Sequence, residues 1–472
     1  MISFSYLDII IILLFFLIII IVGIYASLKT VNESDDYLLS GRKVGLLLFV
    51  LTNVATWYGG ILGVGEFSYR YGLVSWLTQG LPYYLFALVF AFFLAEKIRD
   101  ASLFTIPDKL EQIYGKKISL ISAFLIFILV TPAPYVLMLG TLISLIFDIS
   151  IVTSLFISVL VSSIYLFKGG YRSNIWTDAF SFFVMFIGFI IIAYVANSDF
   201  GGIDFLTKNL PEKHLSLIGG HSFTFVVVWF LIALWTFTDP GFHQRCYSAK
   251  NKFTAKWGII ISVFFWISFD FLTNTTGLFS KAILPNLENP VLAFPLLAER
   301  ILSSGLKGIF FAALIATILS TLNSFIFLSA TTFSRDFVFR LRGNLNAKEI
   351  IQYTKYGIIL AGFISIFISY FFTSVVEIWY LIGSLCIPSI ILLVLSSYYP
   401  KAQISEKIAL IEVIFSLMTS IIWYLLRNDF KSIAFIYEIE PMILGLITAS
   451  VIHSFGMYER KQNYADYLNK SN

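Results

Sequence analysis

Thirteen apolar stretches, near 6–27, 44–63, 73–96, 118–146, 149–167, 174–196, 222–239, 254–280, 306–333, 353–372, 376–398, 405–426 and 436–455, dominate the chain. Most are about twenty residues long. That is the length an α-helix needs to cross a bilayer, and too long for strands of a membrane barrel. Inside lipid every backbone polar group must be satisfied within its own segment, so these stretches read as helices. With 58% hydrophobic and 13% charged residues, little material remains for a soluble domain. The longest connections, 97–117, 197–221 and 281–305, are too short to fold alone. The 18% aromatic content supplies interfacial belts.

Orientation follows from the cations. No positive charge precedes the first span, whereas Lys29, Arg42 and Lys43 follow it. With the N-terminus outside, most Lys and Arg residues fall on the inner side, as the positive-inside rule requires. The tail carrying Arg460, Lys461 and Lys470 then lies inside. The basic leader and cleavage site of a signal peptide are both missing, so the first span is expected to stay. The net charge of +4 is accounted for by this distribution and implies no nucleic-acid partner.

Several chemistries are disfavoured. Cys246 and Cys386 make no disulfide framework, and four scattered histidines suggest no metal centre. No phosphate-binding glycine loop is present, so work done by the protein must draw on an ion gradient. No cluster of acid, base and nucleophile near an interface suggests an enzyme.

Two spans carry residues that weaken helices. The second holds Thr52, Asn53, Thr56, Gly59, Gly60 and Gly63, and the seventh is interrupted by "WTFTDPG", 235–241. Five spans separate their starts, so spans 2–6 and 7–11 enter the membrane in opposite senses. This is the pattern of an inverted five-plus-five repeat whose first helices are broken. Carbonyls freed by a break are acceptors suited to a small cation. The plainer explanation is that glycines let helices approach closely; polar residues beside them at mid-depth favour a site.

In the ninth span Thr317, Ser320, Thr321 and Ser324 stand at i, i+3, i+4 and i+7, on one helix face. Ser320 is about fourteen residues, or roughly 21 Å, from the outer end. Hydroxyls there bond back to the preceding turn or to a neighbouring helix. Four in register opposite a broken helix suggest oxygen ligands for a hard cation, by analogy with Ca2+ and Mg2+. Asp178, one turn inside the sixth span, reads as functional or as an acid placed at a helix N-terminus. Asp270, deeper in the eighth span, faces a solute path or pairs with a cation, and the sequence assigns it no role.

These stretches resemble the sodium:solute symporter family. The likeness runs in order through "DDYLLSGRKVG" (35–45), "ATWYGG" (55–60), "GEFSYRYGL" (65–73), "GGYRSNIWTD" (169–178), "DPGFHQRCYSAKN" (239–251) and "LIATILSTLNS" (314–324). It implies an all-α, leucine-transporter type fold of about thirteen helices. It divides the chain into an extra helix (6–27), two inverted repeats (44–196 and 222–398), two peripheral helices (405–455) and a cytoplasmic tail (456–472). It implies a Na+ site with hydroxyls from Ser320 and Thr321 and the Thr317 carbonyl. Two registers place the carbonyls of the broken helix at Ala55 and Tyr58, the choice adopted here, or at Asn53 and Thr56. Asp178 matches an acid associated with a second cation site, and Trp235 falls near a substrate-gating aromatic. Asn53, Thr56, Gly59 and Gly60 are further candidates for solute contact. The sequence departs from the family at Asn323, often Asp, and at Ser181, often Gln. Sugar-binding polar residues have no clear counterparts.

The expectation is Na+-coupled symport of a small organic solute (an amino acid, organic acid or sugar derivative) across the cytoplasmic membrane. A proton-coupled carrier on the same fold, a ligand sensor that does not transport, and a passive channel are the alternatives.

Overall fold

In the computed structural model the described residues are 2–31, 33–371, 375–430, 437 and 439–471, without the side chains of 375–378, 428 and 463–471. Among them twelve helices are long and apolar enough to cross a membrane. A further apolar helix, Ile151–Ser163, has thirteen residues and corresponds to the fifth expected span. The last expected span begins at 436, outside the described residues, and its helix starts at Pro441. The protein is an integral, multi-pass membrane protein of all-helical architecture.

The ninth span, Leu306–Arg342, is the centre, with 94% of its apolar window buried. The sixth span, Leu166–Phe200, packs along it, and the first, Tyr6–Ser27, covers both. On that first span Leu7, Ile10, Leu13, Leu14, Leu17, Ile18 and Ile21 are exposed. In water that stripe would be prohibitive; facing lipid tails it costs nothing.

Both breaks are present. The second span runs as an α-helix over Leu46–Trp57, tightens to a 3-10 turn at Tyr58–Gly60, and resumes at Ile61–Tyr71. The seventh consists of Phe223–Ile232, a short turn Trp235–Thr238, and Pro240–Ser248. Asp239, in extended conformation between the last two, accepts a hydrogen bond from Gly241 N at 2.6 Å and so caps the last piece. Proline at the first helical position suits that restart.

Two backbone hydrogen bonds join the ends of these broken spans. Val44 N donates to Ser248 O at 3.1 Å, and Lys250 N donates to Val44 O at 2.8 Å. At the same end Arg340 is buried and reaches Asp108 at 2.7 Å, Glu111 at 2.8 Å and Asp336 at 2.6 Å. Removing one partner of a buried ion pair leaves the others uncompensated, which costs about 3–5 kcal/mol. Arg340→Gln is therefore expected to lower thermal stability markedly in detergent, and Arg340→Lys to restore only part of it, because one ammonium cannot reproduce a planar fork.

Candidate functional site

The break in the second span lies directly against the ninth. A Cβ built on Gly59 would stand 2.3 Å from the Thr321 side chain, and one on Gly60 2.2 Å from the Trp379 ring. The glycines are thus required for close approach, the plainer of the two sequence readings, while they also permit the break. Gly59→Ala is expected to push spans 2 and 9 apart, abolishing ion-induced stabilisation while Gly63→Ala, whose nearest neighbour is at 3.3 Å, has a much smaller effect.

Thr321 Oγ1 donates to Thr56 O at 2.7 Å. Of the two carbonyl registers, the one containing Thr56 therefore faces the hydroxyl face. Among the described residues no hydrogen bond links span 9 to the carbonyls of Ala55 or Tyr58. The Tyr58 hydroxyl instead donates to Trp266 O at 2.8 Å. That contact favours Asn53 and Thr56 over Ala55 and Tyr58 as the proposed carbonyl ligands. Thr317 turns its hydroxyl back to Ala313 O at 2.7 Å, and its carbonyl, inside the continuous helix, lies 3.5 Å from Thr321 Oγ1.

Asp178 is deeper than the sequence suggested. The sixth span begins at Leu166, not 174, and bends at Gly170, whose φ is 52°. With the helix restarting after that kink, Asp178 is about two turns from its start and fully buried, beyond the first turn where the dipole acts. One carboxylate oxygen, Oδ2, accepts from Thr52 Oγ1 at 2.5 Å and lies 3.2 Å from Thr56 Oγ1. The other, Oδ1, makes no hydrogen bond within 3.5 Å, and neither does the buried hydroxyl of Ser320, which neighbours Asp178, or that of Ser181 one turn along. Buried oxygens without partners are costly in a native protein and mark a place for an ion or water.

One participant escaped the sequence analysis. Arg245, on the last piece of the seventh span, is 3% exposed. Its Nη2 donates to Thr56 Oγ1 at 2.6 Å and its Nη1 to Gly241 O at 3.0 Å. An arginine within an apolar span is itself a signal, but its partner comes from the other repeat and no spacing rule connects them. Asn323 is also accounted for: its amide donates to the Tyr165 hydroxyl at 2.6 Å and accepts from Ser162 Oγ at 2.5 Å, between spans.

Beside this cluster lies a cavity of about 180 Å³. Its wall includes Asn53, Thr56 and Gly60 of the broken second span and Trp235 of the seventh. Gly59 is not on that wall. Aromatic rings dominate it, among them Trp57, Tyr83, Tyr135 and Trp379, with Asp239, Arg245 and Asp270 as the charged groups. The side-chain nitrogens of Asn53 and Gln79, both on the wall, lack partners. An apolar cavity with a few polar groups is the usual form of a small-molecule site.

Comparisons with known proteins bear on the family and the fold. The sequence profile of the Sodium:solute symporter family matches residues 37–430. Human high affinity choline transporter 1 is 25% identical over 393 residues, covering 77% of this chain and 68% of that protein. Sodium/proline symporter 2 of Staphylococcus saprophyticus is 24% identical over 467 residues, covering 92% and 89%. The sodium/glucose cotransporter of Vibrio parahaemolyticus is 26% identical over 385 residues, covering 70% and 68%. A substrate-bound, outward-open Na+-coupled sialic acid symporter superposes with a TM-score of 0.82 at 16% identity, over 97% of this chain and 98% of that one. The nucleobase-cation-symport-1 family transporter Mhp1, closed with bromovinylhydantoin bound, gives 0.60 at 14% identity, over 92% and 95%. At such identities the superpositions establish the fold, a leucine-transporter type arrangement.

Proposed function

We propose that this chain, which belongs to the sodium:solute symporter family, uses the Na+ gradient to accumulate a small organic solute by alternating access. The observation that carries this reading is the neighbouring pair of buried oxygens, Asp178 Oδ1 and Ser320 Oγ, behind the wall of the cavity, neither of which makes a hydrogen bond within 3.5 Å. Thr56 connects the two places. It lines the cavity, its carbonyl meets Thr321, and its hydroxyl lies between Asp178 and Arg245. An ion drawn to Asp178, Ser320, Thr321 and the Thr56 carbonyl would fix the broken helix on which the solute rests. Ion and solute then stabilise one another, as linkage requires.

The two broken spans head the inverted repeats 44–196 and 222–398, with 6–27 and 405–455 packed outside them. We assign the N-terminus to the outer face from the distribution of Lys and Arg. One charge moving through 100 mV releases about 2.3 kcal/mol. At 1.36 kcal/mol per tenfold that sustains roughly a fifty-fold accumulation of solute. The family and the relatives it is similar to are transporters, which agrees with the lack of a catalytic cluster in the sequence.

The test is thermal stability of the purified protein in NaCl against KCl. A ligand that binds only the folded state raises stability by RT ln(1 + [L]/Kd). Sodium is expected to stabilise the wild type, and Ser320→Ala/Thr321→Ala is expected to remove that gain while remaining folded in KCl. Equal stability in the two salts, with solute uptake driven instead by a pH gradient, would replace this reading with proton coupling.

A further inference from the structure

The charged groups of the core do not balance. Asp178, Asp239 and Asp270 are all buried within the membrane domain. Arg245 stands between the first two. It is joined to Asp178 through Thr56, and a Cβ built on Gly241 would lie 2.9 Å from Asp239 Oδ1 and 3.0 Å from Arg245 Nη1. One guanidinium and one Na+ at the proposed site therefore answer Asp178 and Asp239. Asp270 is left over.

Among the described residues no Lys, Arg or His forms an ion pair with Asp270. Its polar partner is the Tyr84 hydroxyl, which donates to Oδ2. Gly80 keeps the space beside it open, since a Cβ there would come within 2.9 Å of the same oxygen. The carboxyl forms part of the cavity wall together with Asn274 of the same helix. A buried carboxylate without a cation is expensive, and in a membrane more so.

The rest of the wall points to what supplies the missing charge. Trp57 meets Tyr83 edge-on at 5.0 Å and stacks on Trp266 at 4.9 Å, which fixes its ring. Tyr135 and Trp379 stand beside each other on the same wall, their ring centres 6.1 Å apart. Aromatic faces attract cations, most strongly where water is excluded. They offer nothing comparable to an anion, which Asp270 would also repel.

We infer that the transported solute is a small organic cation, an ammonium compound, with Asp270 as its counter-charge and the aromatic wall enclosing its positive centre. This rests on the symport reading above and narrows its solute: Asp270 opposes an organic acid, Arg245 on the same wall already standing between Asp178 and Asp239, and a neutral sugar brings no charge to answer Asp270. The volume limits the head group to a few heavy atoms, since an enclosed cavity of about 150 Å³ holds a molecule of benzene size.

The experiment uses four probes of similar size on the purified full chain in saturating NaCl. Tetramethylammonium and n-butylammonium are cations, 3,3-dimethyl-1-butanol is neutral, and pivalate is an anion. Binding is read by thermal shift and by tryptophan fluorescence. At least one cation is expected to bind, with the alcohol and pivalate far weaker. Asp270→Asn is expected to weaken the cation at least about thirty-fold, as truncating one member of a buried charge pair does. Asp270→Glu should retain part of the affinity.

Stabilisation by Na+ alone reports separately on the symport reading. It should survive in Asp270→Asn, which also shows that the variant is folded. Loss of Na+ stabilisation in the wild type would defeat the symport reading. Intact Na+ stabilisation with pivalate or the alcohol binding as well as the cations would overturn the cation inference. So would unchanged cation affinity in Asp270→Asn, or no cation binding at millimolar concentration.

Discussion

Asp178→Asn is expected to abolish Na+-driven solute uptake in proteoliposomes while leaving the protein folded. The substitution keeps the shape and the hydrogen bonds from Thr52 and Thr56, both of which an amide oxygen accepts as well as a carboxylate does. It removes the charge to which the ion would be drawn. In a low-dielectric interior that charge outweighs the neutral hydroxyls around it, so a fall in Na+ affinity of about a hundredfold or more is expected. Two measurements separate this from misfolding. Thermal stability in KCl should be close to wild type, and the stabilising increment on adding NaCl should vanish. Uptake that persists at wild-type rate with a Na+ gradient would remove Asp178 from the coupling machinery.

Arg245 should behave differently. Arg245→Gln removes the guanidinium whose charge acts on both Asp178 and Asp239, and leaving buried carboxylates uncompensated is strongly destabilising. Poor expression and a lowered melting temperature are expected for the single variant. The double variant Asp178→Asn/Arg245→Gln removes opposite charges together. It should be more stable than Arg245→Gln alone, with a coupling of about 1–3 kcal/mol between neighbouring sites. Additive losses would show that the arginine serves Asp239 or the Gly241 carbonyl rather than Asp178. High NaCl should partly rescue the single variant if the ion can replace the guanidinium as the neighbour of Asp178.

These two residues also show what a sequence can and cannot disclose. Twelve of the spans were legible because a bilayer demands a minimum length and an apolar composition of a helix that crosses it. The breaks were legible because Gly59, Gly60 and the Asp239–Pro240–Gly241 turn are poor helix formers in any environment. The hydroxyl face of span 9 followed from helical periodicity alone. Boundaries were less clear where polar residues are buried by other protein segments. "KGGYRSN" looks like a loop, yet it belongs to the sixth span, because Tyr37 donates to Leu166 O and Ser173 to Gly23 O. That extension places Asp178 at depth. Arg245 was visible as a charge in an apolar span, but its neighbours Thr52 and Thr56 come from the other half of the chain. The carbonyl register was open for a similar reason: it depends on which turn of the broken span faces Thr321.

Thr56 has a consequence for how such a protein can diverge. Its carbonyl meets span 9, its hydroxyl meets the acid and the arginine, and its side chain borders the cavity. A change there alters the ion and the solute at once and has almost no neutral path. Trp379, Asn274 and Gln79 border the cavity and, among the described residues, form no hydrogen bond to Thr52, Thr56, Asp178 or Arg245. Selection for a new cargo is free to act on those positions one at a time, while the ion-binding half of the wall stays fixed. Descendants of such a chain would then share their fuel long after they had ceased to share their freight.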